Sequence, residues 1–258
     1  MVNQVIFFGS SDFSVIVLKK LLESHIRIEA VVTTPDRPSG RHLNLTPNSL
    51  KAYAITEKLP ILEELSRISP TVTPGLVVAY GKIIPLDILN KFSSHLYNIH
   101  PSLLPKYRGP SPLQYQILDN APVGVSLIQL DAKMDHGSIV SQKTDSLLPN
   151  DTWITLGNRL FKIGTDLFLT DDLSKTYPQN DSKASYTQKI TRRDGFVDYQ
   201  EFLSGLHTMN PRLLAKYRAY YGWPGIWTIN PEGIRTKLIS LNPILIQEES
   251  KSPTEWQP

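Results

Sequence analysis

The chain is expected to fold as an α/β protein, with a mostly parallel sheet carrying helices on both faces and a small β domain after it. Three observations predict this. The chain opens in the order strand, turn, helix; short apolar runs then alternate with segments of helical period through most of its length; and after a polar stretch near residue 177 the pattern changes to short strand-like pieces.

Each element has a local reason. Val5 to Phe8 is an apolar run ended by Gly9-Ser10-Ser11, after which Asp12 is positioned to cap a helix with Val15, Leu18, Leu21 and Leu22 on one face. Ile28 to Val32 reads as a second strand, Pro47 to Lys58 as a helix with Leu50, Ala54 and Leu59 inward, and Gly75 to Ala79 as a buried strand. Leu96 to Ile99 reads as a further strand and Ser111 to Asp119 as a helix. Val123 to Leu130 and Ile139 to Lys143 alternate as strands do, with the loop Lys133 to Gly137 between them. Thr152 to Leu173 reads as a long closing helix, with Leu156, Leu160, Ile163 and Leu167 in register. The polar, turn-rich stretch from Tyr177 to Lys183 and the interruption at Asp194-Gly195 mark a boundary. The expected domains are 1–178, a linker over 179–205, and 206–258, the last with a helix at Tyr199 to Leu206 entering it and strands at Ile226 to Ile229 and Arg235 to Leu241.

Composition narrows the function classes. With 258 residues, 40% hydrophobic and 20% charged, the chain has ordinary globular proportions, which exclude a fibrous or wholly disordered protein. No apolar run approaches the roughly 18 residues of a membrane span, and the N-terminus enters a strand without a basic leader, so the cytoplasm is expected; a monomer is expected as well. No cysteine is present, and the six histidines show no ligand spacing, so no metal is expected. The net charge of +3 is compatible with a polyanionic partner without demanding one.

Asn98 and His100 are two apart in an extended segment, so their side chains emerge on one face, able to address one oxygen. Asp135 lies downstream in an Asp-x-Gly turn ending at Gly137. An amide and an imidazole can donate to an oxyanion, and a carboxylate beside the imidazole can take a proton, which together suit acyl transfer to an amine. Open α/β sheets hold ligands beyond the carboxyl ends of their strands, where this group falls. The bland alternatives are a strand end, a buried hydrogen-bonded histidine and an ordinary turn.

Two further segments qualify. Pro35 to Pro47, rich in Pro and polar residues, reads as a long exposed loop, either a solvated connection or one in which Arg37 and Arg41 grip phosphates. Val77 to Pro85 reads as a buried strand ending in a glycine turn with apolar Ile83 and Ile84 beyond, where a flat heterocycle can pack with backbone groups reading its edge, the bland alternative being plain core packing. Gly9-Ser10-Ser11-Asp12 lacks the spacing of a dinucleotide turn.

The run Asn98-x-His100-Pro101-Ser102-Leu103-Leu104-Pro105-x-Tyr107-Arg108-Gly109, with Asp135-x-Gly137 after it, closely resembles the signature of 10-formyltetrahydrofolate-dependent formyltransferases. The segment Pro35-Asp36-Arg37-Pro38-x-Gly40-Arg41 leading to Leu45-Thr46-Pro47 resembles the loop of the branch that acts on methionyl-tRNA. The likeness continues through Lys189 to Asp198 and Trp223-Pro224-Gly225, so it covers nearly the whole chain. It implies a Rossmann-like catalytic domain followed by an OB-like domain, here shortened. It also implies formyl transfer from 10-formyltetrahydrofolate to the α-amine of methionyl initiator tRNA. Asn98, His100 and Asp135 would then be catalytic. Ser102, Leu103, Leu104 and Pro105, with Tyr80, Lys82, Ile83 and Ile84, would hold the folate, and Arg37, Arg41 and His42 the tRNA. The alternatives are a formyltransferase for a nucleotide-linked amino sugar and a noncatalytic RNA- or folate-binding relative.

Overall fold

A computed structural model describes residues 2–39, 44–93 and 95–256. In chain order the elements are β1 (Gln4–Gly9), α1 (Asp12–Glu23), β2 (Arg27–Val32), β3 (Arg37–Ser39), β4 (Asn44–Thr46), α2 (Ser49–Thr56), β5 (Ile61–Leu62), β6 (Gly75–Val78), α3 (Leu86–Lys91), β7 (Leu96–His100), α4 (Pro112–Leu118), β8 (Val123–Gln129), β9 (Ile139–Asp145), α5 (Trp153–Thr170), α6 (Tyr199–His207), α7 (Pro211–Ala219), β10 (Ile226–Ile229), β11 (Arg235–Leu241), β12 (Ile244–Glu248) and β13 (Thr254–Glu255).

Internal contacts divide the chain into two compact units. The first comprises residues 1–108, 124–145 and 157–186, and the second comprises 109–123, 146–156 and 187–258. The division is interleaved rather than falling at residue 178, and the polar stretch expected to begin a linker belongs to the first unit.

That unit holds a seven-stranded sheet in the order β5-β2-β1-β6-β7-β8-β9. β1 pairs in parallel with β2 and β6, β2 with β5, and β6 with β7, while β8 is antiparallel to β7. The expected mostly parallel, Rossmann-like sheet is therefore present. Strand alternation gives it two faces. Ile6, Phe8, Ala30, Val32, Val77 and Leu96 form one buried cluster with Ile88 of α3. The opposite face carries Ile99 and Tyr97 of β7, which meet α5: a Cβ on Gly164 would come within 2.4 Å of Ile99, and the Tyr97 and Phe168 rings lie 6.0 Å apart. By the same period-two rule Asn98 and His100 continue the Leu96 face, away from α5.

Several local expectations are corrected. Ser11, not Asp12, caps α1, in a capping box with Ser14, and the buried face is Ser14, Val17, Leu18 and Leu21 rather than one through Val15 and Leu22. α2 begins at Ser49 because the Asn48 side chain accepts from the Lys51 amide. The segment 35–47 is not plain loop: β3 and β4 form an antiparallel ribbon with Arg37 opposite Thr46. A two-stranded ribbon consists of two edges, so Pro38 is tolerated in it.

The second unit carries a four-stranded antiparallel sheet in the order β10-β11-β12-β13 together with α6 and α7, which is the small β domain expected. α7, β12 and β13 were not anticipated, nor was α3 in the first unit.

Candidate active site

The carboxyl end of β7 supplies the first two groups. Asn98 is half-buried, and its side-chain amide makes no protein hydrogen bond among the described residues. His100 is buried, and both of its nitrogens face protein acceptors. Nε2 lies 2.9 Å from the Tyr107 carbonyl, and Nδ1 lies 3.5 Å from Oδ1 of Asp135. A carbonyl only accepts, so Nε2 carries a hydrogen, and any second proton on the ring is shared toward Asp135. The structure thus brings Asn98, His100 and Asp135 to one strand end, but it turns the imidazole to the protein rather than leaving it free to address an oxyanion. Of the pair, Asp135 is the more open, with its side chain 14% exposed against 5% for His100.

The loop after β7 is held from β8 and β9. The Ser126 hydroxyl donates to the Ser102 carbonyl at 2.6 Å and accepts from the Leu104 amide at 3.0 Å. Gln142 Nε2 donates to that hydroxyl at 2.7 Å and to the Leu104 carbonyl at 2.8 Å. Ser102 is fully buried and donates its hydroxyl to the Lys106 carbonyl at 2.7 Å, so this side chain closes the turn rather than pointing toward a ligand. Leu104 is buried as well, which leaves Leu103 and Pro105, both half-buried, as the apolar groups available for contact. Sequence reading, in which Gly124-Val125-Ser126 belongs to the family resemblance, assigns Ser126 no role and does not single out Gln142. A polar residue in the middle of each of two strands, Ser126 among buried apolar neighbours, was the signal available.

Asp135 is held in an unusual backbone state, with φ of 50°. Asp and Asn tolerate this left-handed region better than most residues. The left-handed conformation in this turn is therefore taken by Asp135, not by Gly137, which is required for a different reason. A Cβ there would lie 1.8 Å from the Gln129 carbonyl oxygen and 2.9 Å from its carbon. Both are backbone atoms of β8, so the loop must move to make room. Gly137→Ala is expected to lower the unfolding free energy by about 1–3 kcal/mol, as overpacking usually does, read by thermal or urea melts. It should also reduce kcat at least tenfold by displacing Asp135 from His100, as misplacement of a reacting group by about 1 Å can.

The glycine turn after β6 divides the residues expected there to hold the folate. Tyr80 is 3% exposed, packs edge-on to Phe8 with centroids 5.9 Å apart, and burial pushes its phenol above the ordinary range. It is a core residue whose carbonyl, at 3.0 Å, and whose neighbour's carbonyl receive the Ser10 hydroxyl. Ile84 packs half-buried against the same core, while Lys82 is exposed and Ile83 is 75% exposed.

Near this turn, beyond the ends of β1, β2 and β6, lies a cavity of about 360 Å³ lined by Ser10, Thr34, Arg37, Thr46, Asn48 and Gly81 among others. Arg37 is therefore brought to the sheet's carboxyl edge. Asp36 is engaged by Lys51 Nζ at 2.6 Å, an arrangement that raises the Lys51 pKa through its hydrogen bonds to Asp36 and Glu63. Arg41 and His42 lie outside the described residues. A second cavity, of about 570 Å³, lies in the second unit beside α6 and contains none of the expected site residues. Among the described residues there is no cluster of three or more His, Asp or Glu that would suit a metal ion, and no helix of the described residues is long and apolar enough to cross a membrane.

Residues 3–170 match the formyl transferase family. A methionyl-tRNA formyltransferase from Roseiflexus castenholzii is 36% identical over 244 residues, covering 87% of this chain and 75% of that protein. One from Thermus thermophilus is 34% identical over 255 residues, covering 93% and 80%. Among solved structures, the sugar 3N-formyl transferase WlaRD, studied with dTDP and 5-N-formyl-THF, superposes with a TM-score of 0.64 at 21% identity, over 93% of this chain and 85% of that one. At that identity the likeness concerns the fold.

Proposed function

The chain belongs to the formyl transferase family, and on that premise we propose that it transfers a formyl group from 10-formyltetrahydrofolate to the α-amine of methionine carried by initiator tRNA. One observation carries the chemistry: Asn98, whose side-chain amide has no hydrogen-bond partner among the described residues, lies two residues before His100 on the strand end where His100 pairs with Asp135. The methionine amine attacks the formyl carbon and forms the new N–C bond, while the carbonyl π pair moves onto oxygen. The Asn98 side chain donates N–H to that oxygen, an interaction that strengthens as charge develops. Asp135 takes the proton the amine loses, with His100 behind it to share the charge. Collapse breaks the bond from the formyl carbon to N10, and the proton held at Asp135 passes to N10. Half-buried Leu103 and Pro105 and exposed Ile83 supply apolar surface for the folate.

Two observations point to the acceptor: relatives 34% and 36% identical are named for methionyl-tRNA, and the β3–β4 ribbon carries Arg37 to the cavity edge, where a phosphate-bearing acceptor can meet it. The deciding experiment incubates the chain with 10-formyltetrahydrofolate and charged initiator tRNA. Formyl-methionine on the tRNA is expected. Formylation of a dTDP-linked amino sugar with none of the tRNA would replace this reading by the sugar one. Arg37→Ala should weaken tRNA binding and shallow its salt dependence by the equivalent of about one phosphate contact, with the folate KM unchanged. An unaltered tRNA Kd across a salt series would remove the ribbon from the interface.

A further inference from the structure

We infer that Gln179 is a positioning residue for the formyl-transfer site, the centre of a strap over residues 177–186 that fixes Asp135 against His100. This rests on the proposed function. The strap lies in the polar stretch that sequence alone reads as a linker. Gln179 Nε2 donates to two carbonyls of the Asp135 loop, those of Asp135 at 2.9 Å and Gly137 at 2.8 Å. Its Oε1 accepts from both Nε and Nη2 of Arg108, at 3.1 and 2.8 Å. The amide is thereby oriented from both ends, because the guanidinium has no acceptor and can meet only its oxygen.

Arg108 is itself 1% exposed, which makes its fit demanding. It also donates to Asp181 at 2.8 Å and to the Tyr186 hydroxyl at 3.1 Å, both within the strap. Burial alone would lower its pKa; the hydrogen bonds to Asp181 and Tyr186 reverse that, and the guanidinium stays charged. The same strap reaches the other half of the pair. Ser185 accepts from the Tyr107 amide through its hydroxyl at 2.9 Å and from the Arg108 amide through its carbonyl at 2.9 Å. Tyr107 in turn presents the carbonyl that receives His100 Nε2. His100 is thus located through Tyr107 and Asp135 through Gln179, and one segment sets both. The backbone of Asp135 sits in the left-handed region, which Asp visits more readily than most residues, and the two bonds from Gln179 hold it there. Tyr177 is tied to Ile139 of β9 by a pair of backbone bonds of 2.8 Å, which anchors the strap's start to the sheet.

Gln179→Glu keeps length and an acceptor for Arg108 but places a carboxylate oxygen against two carbonyls. A fall of about ten- to hundredfold in kcat is expected, with both KM values within about threefold and the pH profile of kcat displaced. In the substrate-free protein, the imidazole 15N resonances of His100 should move. If Gln179→Glu does not fold, Gln179→Met, which lacks donor and acceptor, is read in the same way. Unchanged kcat, an unchanged pH profile and unmoved His100 resonances in a folded variant would overturn the assignment, as would a loss confined to KM. The resonances require no substrate, so a chain that formylates nothing would sink the functional reading while the strap is still decided.

Discussion

Asp135→Asn is expected to lower kcat by at least about 100-fold, the lower range for loss of a positioned proton acceptor, while melting temperature and both KM values stay close to those of the parent. The geometry separates chemistry from structure here. Asn has the shape of Asp, and it is one of the few residues that accepts a φ near 50° without further strain, so the loop retains its course. The hold from Gln179 is on the backbone carbonyl, which the substitution leaves in place. What is lost is the anion facing His100 Nδ1 at 3.5 Å, and with it the destination of the amine proton. Single-turnover formylation with saturating folate isolates this step from product release. Turnover within about threefold of the parent would show that the proton leaves by another route, and the mechanism would have to be abandoned.

The sequence made the sheet legible because strands and helices there have the length and period that patterns resolve. β1, β2, β6 and β7 each appear as a short apolar run at nearly the observed bounds, and the long α5 carries Leu156, Leu160 and Leu167 inward as read. Elements that escaped are short or held by something other than burial. α3 is a six-residue helix, too short for a period to emerge. The β3–β4 ribbon pairs through its backbone, to which composition is nearly blind. The candidate site divides in the same way. That Asn98 and His100 share a face follows from the period of two. That His100 is turned to a carbonyl, that Ser102 closes its own turn, and that Tyr80 is core all depend on where remote atoms lie. Gln179 and Gln142 were hidden for that reason: a glutamine in a polar stretch or on a half-exposed strand has no local mark, and only the fold shows which carbonyls it meets.

Asn98→Ala is expected to cut kcat by about 100- to 1,000-fold, the usual consequence of removing one oxyanion donor. The case is unusually clean. No described protein group bonds the Asn98 amide, so its removal orphans no buried partner, and the backbone pairing of residue 98 with Val77 and Ile128 does not involve the side chain. Stability should therefore shift by less than about 1 kcal/mol, as at positions free of cavity, cap or unsatisfied-polar effects. Because the interaction strengthens only as the carbonyl oxygen becomes an anion, the loss should fall on kcat rather than on folate binding. Asn98→Asp sharpens the test. It conserves shape but replaces the donor by a second anion at the oxygen's position, so it should be slower still than Asn98→Ala. If Asn98→Asp instead turned over faster than Asn98→Ala, the group at residue 98 would be acting on a proton rather than on an oxyanion, and the roles of Asn98 and Asp135 would have to be exchanged.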